Sequence, residues 1–113
     1  MKHEIKKISK IIDELVTFFF KNDADEVDIK IKKNEKNIII KIVDYNTCFS
    51  EEDIECITKL LCAQRQHEIE SYYWQLAGEV DSDSELILVG AMIDEAKVEI
   101  IDKNLCIELT RYR

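Results

Sequence analysis

Apolar residues recur along this chain with two periods, and the switches between them mark its elements. Over residues 5–21, Ile5, Ile8, Ile12, Leu15 and Phe19 stand at alternating steps of three and four. That spacing predicts an amphipathic helix. Phe18 and Phe20 are expected to widen its buried face, and Lys21-Asn22-Asp23 to close it. The period then drops to two. Val27, Ile29 and Ile31 alternate with Asp28, Lys30 and Lys32, and Ile38, Ile40 and Ile42 alternate with Ile39, Lys41 and Val43. Strands over 26–33 and 37–45 with a turn at Asn34–Asn37 form the predicted hairpin.

Ser50-Glu51-Glu52-Asp53 is a candidate capping box, with acidic residues at the positive end of the helix that follows. Ile54, Ile57, Leu60 and Leu61 continue it, the polar stretch at 63–68 interrupts it, and Ile69, Tyr72, Tyr73 and Leu76 resume it. Residues 51–77 read equally well as one bent helix or as two, with Gly78 as the stop. A further helix over 85–95 places Leu86, Val89 and Ile93 inward, with Gly90 on the same face for close packing on the sheet. A second hairpin, 97–101 and 105–110, turns at Asp102-Lys103-Asn104. Strand pairs with one apolar face imply an α+β, two-layer sandwich with helices on one side of the sheet. Residues 1–113 read as one domain.

The remaining composition mainly excludes. A formal net charge of −8 disfavours both nucleic acid and an anionic membrane surface. No apolar run is long enough for a membrane span, and the charged start does not read as a signal peptide. Cys48, Cys56, Cys62 and Cys106 form no CxxC and are expected to be reduced thiols in a cytoplasmic protein, Cys56 and Cys62 as packing residues. His3 and His67 have no ligand spacing to them, so zinc is not expected. Asp81, Asp83 and Glu85 begin like a calcium loop, but Leu86 and Met92 occupy its glycine and glutamate positions.

Three stretches resemble the histidine kinase-like ATPase superfamily, the Bergerat or GHKL fold of sensor-kinase catalytic domains and anti-sigma kinases. They are Glu14-Leu15 through ADEVDIKI (24–31), IIIKIVD (38–44) with FSEEDIECITKLL (49–61), and ELILVGAMIDEAKVEI (85–100). The resemblance implies a mixed sheet and a nucleotide site. Within that site Glu14 matches the acidic base, Lys21 a basic position, and Asp44 the aspartate that accepts from the adenine amino group. Phe18, however, stands where a magnesium-holding asparagine belongs, and phenylalanine offers no oxygen to a hard cation. Both glycine boxes are missing: the chain has two glycines, Gly78 and Gly90, and neither could let a backbone wrap a phosphate.

The sequence thus predicts a fold that has lost its nucleotide: no cofactor is expected, with ATP and magnesium in an altered pocket as the alternative. A non-catalytic regulatory domain of anti-sigma or adaptor type is the expectation, with a protein partner or a second copy bound through one of two surfaces. One is the aromatic cluster Tyr72, Tyr73 and Trp74. The other is the uncovered sheet face carrying Ile39, Val43 and Ile101, aliphatic residues expected to lie near one another. The alternative is a weak ATPase or protein kinase using Glu14, Lys21 and Asp44.

Overall fold

The computed structural model describes residues 4–62 and 84–113. The described elements are α1 (Glu4–Lys21), β1 (Val27–Lys33), β2 (Asn37–Asp44), α2 (Glu51–Leu61), α3 (Ser84–Ala91), β3 (Glu95–Ile101) and β4 (Asn104–Tyr112). The four strands form one sheet in the order β1-β2-β4-β3. Every neighbouring pair is antiparallel, so the expected mixed sheet is not found. The reason is connectivity. Each hairpin is antiparallel by construction, and β4 meets β2 running the other way, with Ile42 opposite Ile107 and Ile40 opposite Leu109.

The register decides which side chains share a face. Ile38, Ile40 and Ile42 point inward with Leu105, Ile107 and Leu109, all buried under the helices. α3 packs against α1 on one side and α2 on the other, and α2 reaches β3. Leu86, Val89 and Ile93 are buried as expected. Gly90 does allow a close approach, but to α2 and not to the sheet. A Cβ there would lie 2.5 Å from the Leu60 carbonyl oxygen and 3.2 Å from that of Leu61.

Local chemistry sets the boundaries. Ser50 Oγ accepts from the Asp53 N–H and the Asp53 carboxylate accepts from the Ser50 N–H, which completes the capping box. The second hairpin turns on two residues, Asp102 and Lys103, both at positive φ (50° and 67°), which matches the twist of the strands it joins. α3 stops at Ala91, short of the expected 95. Met92 N–H closes a turn on the Val89 carbonyl, and Asp94 N–H already donates to the Thr110 carbonyl, so sheet pairing takes the chain from the helix. The part of the expected helix beyond 61 lies outside the described residues.

The expected burial fails at the sheet margins. Ile5 is 82% exposed, Ile31 49% and Phe20 52%. β1 is the end strand, and the helix layer stops short of covering it. Cys56 and Cys62 are exposed thiols and not packing residues. No described helix is long and apolar enough to cross a membrane.

Candidate functional site

Asp44 is the last residue of β2, on the inner face of the sheet. Its carboxylate is buried, and Oδ1 has no hydrogen-bond partner among the described residues. Burial raises its pKa above the ordinary carboxylate value, a hydrogen bond with the Thr47 side chain partly offsets this, and the nearby Asp25 charge adds to the rise. Thr47 Oγ1 also accepts from the Phe49 N–H at 3.2 Å. The Phe49 ring lies parallel to Phe18 of α1, with centroids 5.6 Å apart and planes at 3°. Phe19 closes the cluster edge-on, 5.4 Å from Phe18 and 6.4 Å from Phe49. The turn after β2 is thus fastened to the C-terminal end of α1 by aromatic packing, and Thr47 ties Asp44 to the same turn.

The other two positions expected at a nucleotide are engaged elsewhere. Glu14 is buried and pairs with Lys10 one turn earlier at 3.2 Å. Burial would lower the Lys10 pKa, but Asp13 and Glu14 together raise it by more. Lys21 Nζ lies 3.2 Å from Glu85 Oε1 at the start of α3. Glu85 is itself buried, and its Oε2 has no partner among the described residues. No hydrogen bond or ion pair links Glu14, Lys21 and Asp44 to one another. Tyr45 does not fill the site: its hydroxyl donates to Asp28 Oδ2 at 2.6 Å on β1. That bond, with the Asp28 charge, raises the Tyr45 pKa. Three grooves on the described surface are lined by other residues, and Asp44 borders none of them.

Among the described residues, no group of three or more His, Cys, Asp or Glu side chains converges as a metal ion would require.

The outer sheet face is uncovered by any described helix. Its centre is a charged row across the strands, Lys30–Lys41–Glu108–Lys97. Ile39 sits between Lys32 and Thr110, and Val43 between Asp28 and Cys106, so Lys41 separates the two on β2. Ile101 is on the far edge strand opposite Asn104. The three aliphatic residues do not form the single patch expected of them. Two shallow grooves of about 200 and 160 Å³ flank Lys41 and Glu108. Tyr72, Tyr73 and Trp74 lie outside the described residues, as do Asp81 and Asp83.

The sequence reading missed Thr47, Phe49 and Arg111, and saw Glu85 only as part of a calcium-like acidic run. Arg111 is buried on the inner face, its Nε and Nη2 donating to the two Glu4 carboxylate oxygens at 2.7 and 3.1 Å and Nη1 to the Met92 carbonyl at 2.6 Å. Extending the inward alternation of Leu105, Ile107 and Leu109 by one step would have found it. Phe49 carried no such signal, since its partner Phe18 is distant in sequence. No family model matches the chain, no curated protein is detectably similar to it, and no solved structure matches its fold.

Proposed function

We propose that this chain is a non-catalytic regulatory domain that binds a protein partner, in the manner of anti-sigma or adaptor members, on a histidine kinase-like ATPase scaffold whose nucleotide site has closed. The observation that carries this reading is the Phe18–Phe49 stack on the turn that follows Asp44. It puts an apolar ring where a metal ligand is required and packs the turn where a glycine loop would hold phosphates. The order of helices and hairpins and the position of Asp44 support the scaffold. The all-antiparallel sheet is where the chain departs from it. The uncovered face supports the binding role, since Ile39 and Val43 there are flanked by the charges of Lys30, Lys41 and Glu108. Such a mixture suits specific protein recognition, in which charges set register and apolar side chains set affinity.

A second reading, an altered ATP-binding pocket, is favoured by one observation: Asp44 Oδ1 is buried without a donor among the described residues. An adenine amino group could supply one. Thermal unfolding with and without millimolar Mg-ATP separates the readings. A ligand at 100 times its Kd adds about 2.7 kcal/mol to stability, a clear rise in Tm. The non-catalytic reading requires no saturable rise. A rise that Asp44→Ala abolishes would overturn it and establish the second.

A further inference from the structure

We propose that this domain forms a two-fold symmetric dimer in which the β1 edges of two copies pair antiparallel, making one eight-stranded sheet with the two α1 helices side by side. β1 ends the sheet order, and among the described residues its outer side is unpaired. Tyr45 N–H donates to the Glu26 carbonyl and Asn34 N–H to the Asn37 carbonyl, so the even-numbered residues of this stretch aim their backbone groups at β2. Successive residues of a strand aim theirs to opposite sides. Val27, Ile29 and Ile31 therefore present N–H and C=O groups to the open edge.

Charge selects the register. The stretch reads Asp25-Glu26-Val27-Asp28-Ile29-Lys30-Ile31-Lys32-Lys33, acidic in its first half and basic in its second. With the two-fold axis at Ile29, Asp28 faces Lys30 of the second copy, Glu26 faces Lys32, and Asp25 faces Lys33. On the inner face Val27 meets Ile31, and Ile29 meets its own counterpart. Every other centre that keeps the inner face inward places like charges opposite. An axis at Asp28 opposes two aspartates, one at Lys30 opposes two lysines, one at Ile31 sets Lys30 against Lys32, and one at Val27 sets Glu26 against Asp28. Lysines on a free edge ordinarily prevent pairing. Here each has an acidic residue at the symmetry-related position, so the pattern that repels a foreign strand accepts a second copy.

The helix layer carries an independent mark of the same interface. Ile5, Ile12, Val16 and Phe20 form one stripe of α1, with Ile12 and Val16 half-buried and Ile5 and Phe20 largely exposed. This flank borders the β1 side of the sheet: Ile5 and Ile8 line an apolar groove of about 440 Å³ with Ile31 and Ile38. Pairing β1 about Ile29 brings the same flank of a second α1 alongside, running the opposite way. The exposed Ile5, Ile31 and Phe20 then leave water together.

Sedimentation velocity of the 113-residue chain, from low micromolar to submillimolar concentration, should show a dimer. Val27, Ile29 and Ile31 amides should exchange slowly in the dimer and fast on dilution to monomer. Ile29→Pro removes an edge-facing N–H while sparing the bonds to β2, and should yield a folded monomer. Asp28→Lys sets lysine against Lys30 in both symmetry-related pairs and should raise the Kd about tenfold. Adding Lys30→Asp restores opposite charges and should restore association. A chain that stays monomeric at every concentration overturns the proposal, as does a dimer indifferent to the charge reversal and its compensation. If Ile29→Pro fails to fold, the exposed charge variants decide alone. The dimer asks nothing of Asp44, so its fate is separate from that of Mg-ATP binding.

Discussion

Replacing Gly90 with alanine sets two known effects against each other. Alanine is the better helix former, worth about 1 kcal/mol over glycine in a helix interior. Its methyl group, however, would lie 2.5 Å from the Leu60 carbonyl oxygen and 3.2 Å from that of Leu61. Both obstacles are backbone at the end of α2, so no side-chain rotation relieves the contact. Ordinary contact begins near 3.4 Å. α2 and α3 must therefore separate by most of an ångström, which loosens the packing of Leu61 and Val89, both buried. Overpacking of this kind costs about 1–3 kcal/mol, and the upper part of that range applies where rigid backbone is struck. After the propensity gain, the variant should be less stable by about 1–2 kcal/mol, a Tm lower by roughly 4–10 °C for a domain of this size. Urea unfolding followed by circular dichroism, with an unchanged m-value, is the assay. An alanine variant as stable as the wild type, or more so, would mean that α2 and α3 do not meet at this residue.

Two further expectations concern buried charge. The Asp44 pKa is raised in the folded protein, chiefly by burial, so the folded state holds that proton more tightly than the unfolded state does. The contribution to stability is then most favourable below the ordinary carboxylate pKa and is lost as pH rises through the elevated value. Asp44→Asn should gain stability relative to the wild type between pH 4 and pH 7, by about 1 kcal/mol at neutrality, the scale of one unpaired buried acceptor. A deficit that is the same at both ends of that range would contradict the burial argument. For the Glu4–Arg111 pair, Glu4→Ala should cost about 2–3 kcal/mol, less than a fully buried pair because Glu4 retains some exposure. Adding Arg111→Met should recover part of that loss in urea melts, since a methionine of similar length can fill the buried site without a charge to desolvate.

Alternation and helical periodicity are local properties, and they were enough to place α1, both hairpins, the Ser50 capping box and the buried set Ile38, Ile40 and Ile42. Each depends on neighbours a few residues away, where side-chain spacing and backbone geometry are tied directly. The acidic-then-basic order of β1 was equally legible, yet without knowing that β1 is the sheet edge it carried no meaning. The candidate site was legible only as a position. Asp44 at a strand end follows from the pattern, and so does its inward direction, one step beyond Ile42. The Phe18–Phe49 stack that fastens the following turn does not, because it joins residues far apart in the chain. Glu14 and Lys21 look available in sequence and are occupied in space by Lys10 and Glu85. Tertiary structure also decided the strand order, the antiparallel join of β2 to β4, and the role of Gly90 against α2. These are choices among packings of the same amphipathic elements. Hydrophobic pattern fixes which face an element buries, but shape, register and charge across the assembled layers determine what it is buried against.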